Sequence, residues 1–241
     1  MTTTVQVLYT EEEWHEARAK VVATASEAAI LIGHASYSSP ATLRNKDQNT
    51  FKGNAYTLVG QVLEPVVVDV TNRVLGTKFE LYEVMNKGKV FYTNGLLGAT
   101  PDAGEGDVLL ECKSTKPANY LKYKEEPPLQ YLVQLQVQMH CVGVEEGYLA
   151  IMSTDLSQVS QEIIWPITVY KVVQNGDLCA ILQTEAERFT QDEKFRVDSK
   201  LKKQTKQILD ECYTKVFMGE PARQEDNIES LKALMRGSIQ R

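Results

Sequence analysis

The stretch GATPDAGEGDVLLECKS, residues 98–114, constrains this chain more than any other. An acid, Asp102, follows a proline. The run DAGEGD, rich in glycine and acids, suits a reversal of direction. An apolar run, Val108 to Leu110, then reads as a buried strand, yet it ends in Glu111-Cys112-Lys113. Side chains two apart on a strand share a face, so Glu111 and Lys113 point one way and Cys112 points the other, towards the core. Folding back at the turn brings Asp102 close to Glu111. A carboxylate beside an ammonium is often a simple ion pair, and Glu-x-Lys alone is weak evidence. Two carboxylates brought together repel each other unless one is protonated or a cation bridges them. Hard oxygen ligands suit Mg²⁺ or Mn²⁺, and a lysine beside such an ion can orient or deprotonate a water or stabilise charge on a phosphate. Asp…Glu-x-Lys is therefore a compact set of groups for metal-assisted phosphodiester hydrolysis.

Around this stretch the pattern of the chain alternates. YTEEEWHEARAK carries acids early and bases late, as a helix dipole favours. ATASEAAILIG reads as a second helix, with Ser26 or Thr24 near its start and Gly33 as its stop. Residues 36 to 53 read as a polar loop. NAYTLVGQVLEPVVVDVTNRVLG is a third helical stretch in which Pro65 fits poorly and marks a kink or a fresh start. KFELYEVMN, KVFYTN, LLGATPD and DVLLECKST then form a meander of short strands. PPLQYLVQLQVQMHCVG has apolar residues at helical period, GYLAIMS and QEIIWPITVY read as two more strands, and the chain from Asp177 to about 218 reads as helical and charged, before a break at GEPARQED and a last short helix. The order predicts an α/β fold with a mixed central sheet flanked by helices and a helical C-terminal region. A single domain over 1–241 is expected, with a catalytic core at about 11–172 and a helical extension at about 177–241.

Composition narrows the classes further. With 241 residues and 43% hydrophobic content, the chain is long enough for a substantial core. No run approaches about eighteen consecutive apolar residues, so no membrane span is expected. The opening MTTTVQVLYTEEEW lacks a basic region followed by an apolar stretch, so no secretory signal is expected either. Four scattered cysteines with no Cys-x-x-Cys pair argue against a zinc ribbon or an iron–sulfur cluster and fit a reducing compartment. The expected location is the cytoplasm, that of the host if the chain is viral. His15, His34 and His140 have no metal-ligand spacing and read as ordinary surface or partly buried histidines. A net charge of −6 is not the global footprint of a DNA-binding domain, so a binding groove needs local positive charge. Lys113, Lys116, Lys122 and Lys124 form one such cluster in sequence.

TPDAGEGDVLLECK resembles the signature of the PD-(D/E)xK nuclease superfamily, with restriction-endonuclease-like core, through Pro101-Asp102 and Glu111-Cys112-Lys113. EEWHEARAKVVATASEAAILIG resembles the opening of the YqaJ-like viral recombinases, the group that includes the lambda-type phage exonuclease. VGQVLEP, with Gly60 and Glu64-Pro65, resembles that family's first acidic motif, and QYLVQLQVQMHCVGVEEGYLAIM resembles its helix with Tyr131, Gln134 and Gln136 followed by a strand. These stretches run in family order over residues 11–152, about 60% of the chain.

The resemblance implies Mg²⁺- or Mn²⁺-dependent, processive 5′-to-3′ digestion of one strand of double-stranded DNA from its ends. It also implies two ions per site, recombination together with a single-strand annealing protein, and a homotrimeric ring around the DNA. By motif, Asp102 and Glu111 bind a metal with the backbone carbonyl of Cys112, and Lys113 positions the attacking water. Glu64 serves the second metal, and Gln134 contacts the scissile region with support from Tyr131. Arg18 and Ser26 match the family's 5′-phosphate pocket. They stand eight apart, one more than the lambda-type pattern, which leaves Lys20 as another source of the charge.

Plainer roles exist for each residue. Glu64 reads equally as a surface acid, Gln134 and Gln136 as a solvent-facing polar strip, Tyr131 as core, and Trp14 as a packing anchor. Two other functions compete with the exonuclease: a restriction-type or structure-specific endonuclease of the same superfamily, and a non-catalytic DNA-binding module. The intact Asp102, Glu111 and Lys113 set argues against the second.

Overall fold

The computed structural model describes residues 3–46, 55–154, 163–164, 166–218 and 221–222. In chain order its elements are β1 (Thr3–Leu8), α1 (Glu11–Ala19), β2 (Ala23–Thr24), α2 (Pro40–Arg44), α3 (Ala55–Leu75), β3 (Glu80–Leu81), α4 (Tyr82–Asn86), β4 (Lys89–Asn94), β5 (Leu97–Ala99), β6 (Ala103–Glu105) and β7 (Val108–Thr115). They continue as α5 (Pro117–Tyr123), α6 (Leu129–Val142), β8 (Glu146–Ser153), β9 (Ile163–Ile164), β10 (Ile167–Val173), α7 (Gly176–Gln191), α8 (Ser199–Glu211), β11 (Tyr213–Met218) and β12 (Pro221–Ala222). The main sheet runs β11-β10-β8-β7-β6-β3, and a second sheet runs β1-β4-β5-β2. Both are mixed: β7–β8 and β2–β5 are parallel, and the other pairs in these two sheets are antiparallel. A parallel pair needs a crossover, and α5 and α6 supply it between β7 and β8.

Alternation along the main strands divides the core in two. Leu109, Leu149, Ile151 and Tyr170 pack with Leu132 and Leu135 of α6, Leu178 and Leu182 of α7, and Leu209 of α8. Leu110, Ala150, Met152 and Val169 pack with Val66, Val67 and Val70 of α3. The sheet is thus a slab between α3 on one face and α6, α7 and α8 on the other, in keeping with the expected fold class.

Several local expectations are corrected. ATASEAAILIG is not a helix: Ala23–Thr24 form β2 beside β5, and one 3₁₀ turn covers Ala28–Ile30. Pairing explains its first part, because the N–H groups of Val22 and Ala25 donate to the carbonyls of Leu96 and Gly98 at 2.9 and 2.7 Å, while Ala28 to Ile32 are enclosed on all sides. KFELYEVMN contributes only two strand residues before α4. There the N–H of Tyr82 donates to the carbonyl of Asp102 at 3.0 Å. TTVQVL, not read as a strand, is β1, an edge strand whose residues are exposed on both faces up to Leu8. The helical reading to 218 holds for α7 and α8 but ends at Glu211, where YTKVFM becomes β11 and extends the main sheet. The polar loop at 36–53 contains α2, capped by Ser39, and its remainder from 47 onward lies outside the described residues, as does the final short helix. Pro65 neither ends nor restarts α3, which runs unbroken from Ala55 to Leu75. Its missing N–H leaves the carbonyl of Gln61 without a helical donor.

His34 pins the chain that follows the 3₁₀ turn to α8, its Nε2 lying 2.9 Å from Thr205 Oγ1. It is buried rather than at the surface. Burial first, then the ammonium groups of Lys202 and Lys206, lower its pKa from 6.5 to about 4. The unfolded chain therefore takes up this proton before the folded protein does. Above 6.5 neither state is charged, and stability falls as pH drops from 6.5 towards 4. Urea unfolding at pH 7 and pH 5 is expected to show a smaller difference between the two pH values in His34→Gln than in the parent protein.

Candidate active site

The β6–β7 hairpin sets the geometry. Gly106, at φ +57°, makes the reversal without the cost an L side chain would meet. A Cβ on Gly104 would come within 2.7 Å of the Tyr82 ring, so the hairpin packs closely under α4. Ala103 pairs with Leu110, and the next step of that register sets Asp102 beside Glu111. Asp102 Oδ2 accepts from the backbone N–H of Cys112 at 2.8 Å. Cys112 turns its side chain to the α3 layer, while Glu111 and Lys113 face α6.

Glu111 has no exposed surface, and every donor near it is accounted for by two elements. Its Oε1 accepts from Gln134 Nε2 at 2.6 Å and pairs with Lys113 Nζ. Its Oε2 accepts from Gln138 Nε2 at 2.6 Å. The Lys113 ammonium also lies over the Tyr131 ring, 5.3 Å from its centre. Burial alone would favour the neutral amine, but Glu111 and then Asp102 outweigh it and push the Lys113 pKa up. Asp102 is driven well above the usual carboxylate range, first by burial and then by Glu111 and Glu64. Glu64, on α3, is raised to about 7 by burial and then by Glu111. Three carboxylates thus crowd around one ammonium.

That donor set, hard oxygens in excess of positive charge, fits a divalent cation of the Mg²⁺ type. The side chains are not pre-arranged for it. Among the described residues no group of three His, Cys, Asp or Glu side chains stands ready to hold a metal. Glu111 is instead turned onto Lys113 and the two amides.

A cavity of about 240 Å³ opens beside these acids. Glu64, Asp102 and Gln134 line it, and so do Arg18, Thr24, Ser26 and Lys89. Arg18 is held by Thr24 Oγ1 at 3.4 Å and Glu27 at 3.6 Å. Thr24 is in turn fixed by Glu27, which accepts from its N–H and its hydroxyl. Arg18 and Lys89 both lie on the Trp14 ring, at 4.4 and 4.6 Å from its centre. Trp14 Nε1 donates to Thr100 Oγ1 at 3.2 Å. Trp14 is therefore a packing anchor, joined to Leu8, Ala17, Val21 and Phe91, that also braces two cations. Ser26 sits in the turn after β2 rather than at the start of a helix, 3.3 Å from Thr24 Oγ1.

The structure brings Glu64, Asp102, Glu111, Lys113 and Gln134 together and opens Arg18 and Ser26 onto the same space. Lys20, the exposed C-cap of α1, does not line it. Tyr131 stands behind Lys113 and meets Tyr123 edge-on. Gln136 points elsewhere: it donates to the Val173 carbonyl and accepts from Asn175 N–H, bracing the turn into α7. Lys113 separates from the lysines near it in sequence, since Lys116 and Lys122 are exposed. Sequence reasoning missed Gln138 and Lys89. Gln138 was signalled only by lying four residues after Gln134, on the same helix face. Lys89 had no local signal, because its neighbours Trp14 and Glu11 come from another part of the chain.

The crowding makes a stability prediction. Asp102→Asn keeps an acceptor for Cys112 N–H and removes the charge that Asp102 carries when it is ionised. The melting temperature of the metal-free protein is expected to rise by about 2–4 °C for each kcal/mol of repulsion relieved. Calorimetry in EDTA measures this, and a lower melting temperature would contradict carboxylate crowding.

Residues 13–145 match the YqaJ-like viral recombinase domain. No curated protein matches the sequence. Among solved structures, the fold is similar to that of an alkaline exonuclease (LHK-Exo) from Laribacter hongkongensis, with TM-score 0.56 and 22% identity over 83% of this chain and 97% of that one. The same enzyme in complex with dAMP aligns with TM-score 0.55 and 21% identity over 84% and 97% of the two chains. A phage-related exonuclease from Haemophilus somnus 129PT aligns with TM-score 0.56 and 14% identity over 80% and 96%. The family match covers more than half of the chain and includes Arg18, Glu64, Asp102, Glu111, Lys113 and Gln134. This chain belongs to the YqaJ-like viral recombinase domain family.

Proposed function

We propose that this chain is a metal-dependent deoxyribonuclease that digests double-stranded DNA from its ends, 5′ to 3′, in phage-type recombination with a single-strand annealing protein. The observation that carries the reading is one cavity lined both by carboxylates, Asp102, Glu64 and Glu83, and by cations, Arg18 and Lys89. An end-directed nuclease needs a hydrolytic centre and a holder for the terminal phosphate within reach of each other. The family, and the exonucleases that share the fold, support it.

In this reading Asp102, Glu111 and the Cys112 carbonyl hold one Mg²⁺ or Mn²⁺, and Glu64 serves a second. The ions, when bound, neutralise charge that builds on the phosphate during cleavage. Lys113 positions the attacking water, Tyr131 holds the Lys113 ammonium in place, and Gln134 contacts the scissile region. Arg18 offers a planar, permanently charged fork to the 5′-phosphate, and Ser26 adds a hydroxyl. Arg18 is favoured over Lys20 because it alone of the two faces the cavity. With a net charge of −6, an open surface holds DNA poorly. A closed ring of three copies would enclose it.

The deciding assay is release of acid-soluble nucleotides. Linear duplex is expected to be digested with Mg²⁺ and untouched in EDTA, and a covalently closed circle is expected to survive. Cleavage of the circle would favour an endonuclease, and no cleavage of either would favour a binding module. Lys113→Ala should slow digestion about 10²–10⁴-fold with DNA binding retained in a gel-shift assay. Turnover near that of the parent would remove Lys113 from the reaction.

End recognition has its own test. Arg18→Ala should reduce digestion of 5′-phosphorylated ends far more than of 5′-hydroxyl ends, because only the former present a phosphate for the guanidinium to hold. Equal losses on the two substrates would take Arg18 out of the pocket.

A further inference from the structure

We propose that Gln138 is a positioning residue that holds the two metal-binding acids in register; the inference rests on the reading of Asp102 and Glu111 as ion ligands. Its amide reaches both segments that carry them. Gln138 Nε2 donates to Glu111 Oε2 at 2.6 Å and, at the longer distance of 3.3 Å, to the carbonyl of Thr100, two residues before Asp102. The β6–β7 hairpin already couples Asp102 to the backbone of β7. Gln138 adds the link between the Glu111 side chain and the segment between β5 and β6 that leads into Asp102.

Two glutamines divide the Glu111 carboxylate. Gln134 faces the cavity and takes Oε1 together with Lys113. Gln138, one helical turn further along α6, is 1% exposed, is not among the residues lining the cavity, and takes Oε2. Gln136, between them, faces the turn into α7. Oε1 is the oxygen bonded to a residue that lines the cavity, Gln134. Gln138 holds the other oxygen from the buried side and so fixes the rotation of the carboxylate.

Core packing does not account for a glutamine here. Its Oε1 is buried and has no hydrogen-bond partner. Burying an unsatisfied acceptor is unfavourable, and an apolar side chain of similar volume would avoid it. What the amide adds is its two N–H donations, both aimed at the acids' own segments.

The test is Gln138→Met in the full chain, close in volume and without donors. Mg²⁺ binding is measured by titration calorimetry on EDTA-stripped, dialysed protein, and melting temperature is measured in EDTA. A positioning role predicts Mg²⁺ affinity weakened about 10–100-fold, the range for losing a partner that orients a ligand, whatever fall in metal-free melting temperature follows from the buried Glu111 losing one donor. A lowered metal-free melting temperature with Mg²⁺ affinity unchanged would mean a packing role and overturn the proposal. If the parent binds Mg²⁺ and the variant binds it equally well, Gln138 alone loses its role. If the parent gives no Mg²⁺ heat at all, the ion-ligand reading falls and this inference falls with it. Should Gln138→Met fail to fold, Gln138→Asn retains the amide but withdraws it by one methylene, and the same affinity loss is required of it.

Discussion

A carboxylate without solvent stands in the middle of a core strand, and the architecture around it follows from keeping it there. An isolated buried carboxylate is strongly unfavourable. Glu111 is tolerated because Gln134, Gln138 and Lys113 all reach it. Those partners require α6 to lie against the face of β7 that carries residues 109, 111 and 113. The parallel pairing of β7 with β8, with α6 in the crossover, puts it there. The opposite face of the same strand is free to pack on α3, which brings Glu64 in from the other side of the sheet.

The same arrangement sets acids and cations around one cavity. Glu64, Asp102 and Glu111 are crowded enough that two of them are pushed upward in pKa. A few residues away Arg18 and Lys89 rest on Trp14. The ring is held by Thr100, and the Thr100 carbonyl accepts from Gln138. A chain of direct contacts therefore runs from the cation pair through Trp14 and Thr100 to the acids. Under the proposed function, carboxylates held closer than stability alone would favour are an exchange of stability for chemistry.

The acidic centre was legible because it is local. Asp102, Glu111 and Lys113 lie within one hairpin, and a turn rich in glycine plus strand alternation is enough to place them on neighbouring positions. Gln134 and Glu64 were legible through the family resemblance rather than through any spacing of their own. Elsewhere, local pattern misled where tertiary burial prevailed. Ala28 to Ile32 have the composition of a helix but are enclosed on every side. Thr24, a plausible helix cap by type, is instead committed to Glu27 and to β2. β1 was overlooked although Thr4-Val5-Gln6-Val7 alternates, because the pattern is short and its valines stay exposed on an edge strand.

The sequence by itself determined the fold class, the hairpin that joins Asp102 to Glu111, and the opposed facing of Cys112 and Lys113, since each depends on periods of two or on turn chemistry within a few residues. The tertiary structure alone decided which glutamines of α6 reach Glu111. Gln134, Gln136 and Gln138 are equivalent by type, and only the docking of the helix turns the first and third to Glu111 and the second to α7. It also decided that Arg18 rather than Lys20 faces the cavity, and that Lys89 joins it. A cation's partner there is an indole from another part of the chain, and contacts between distant segments leave no trace in local pattern.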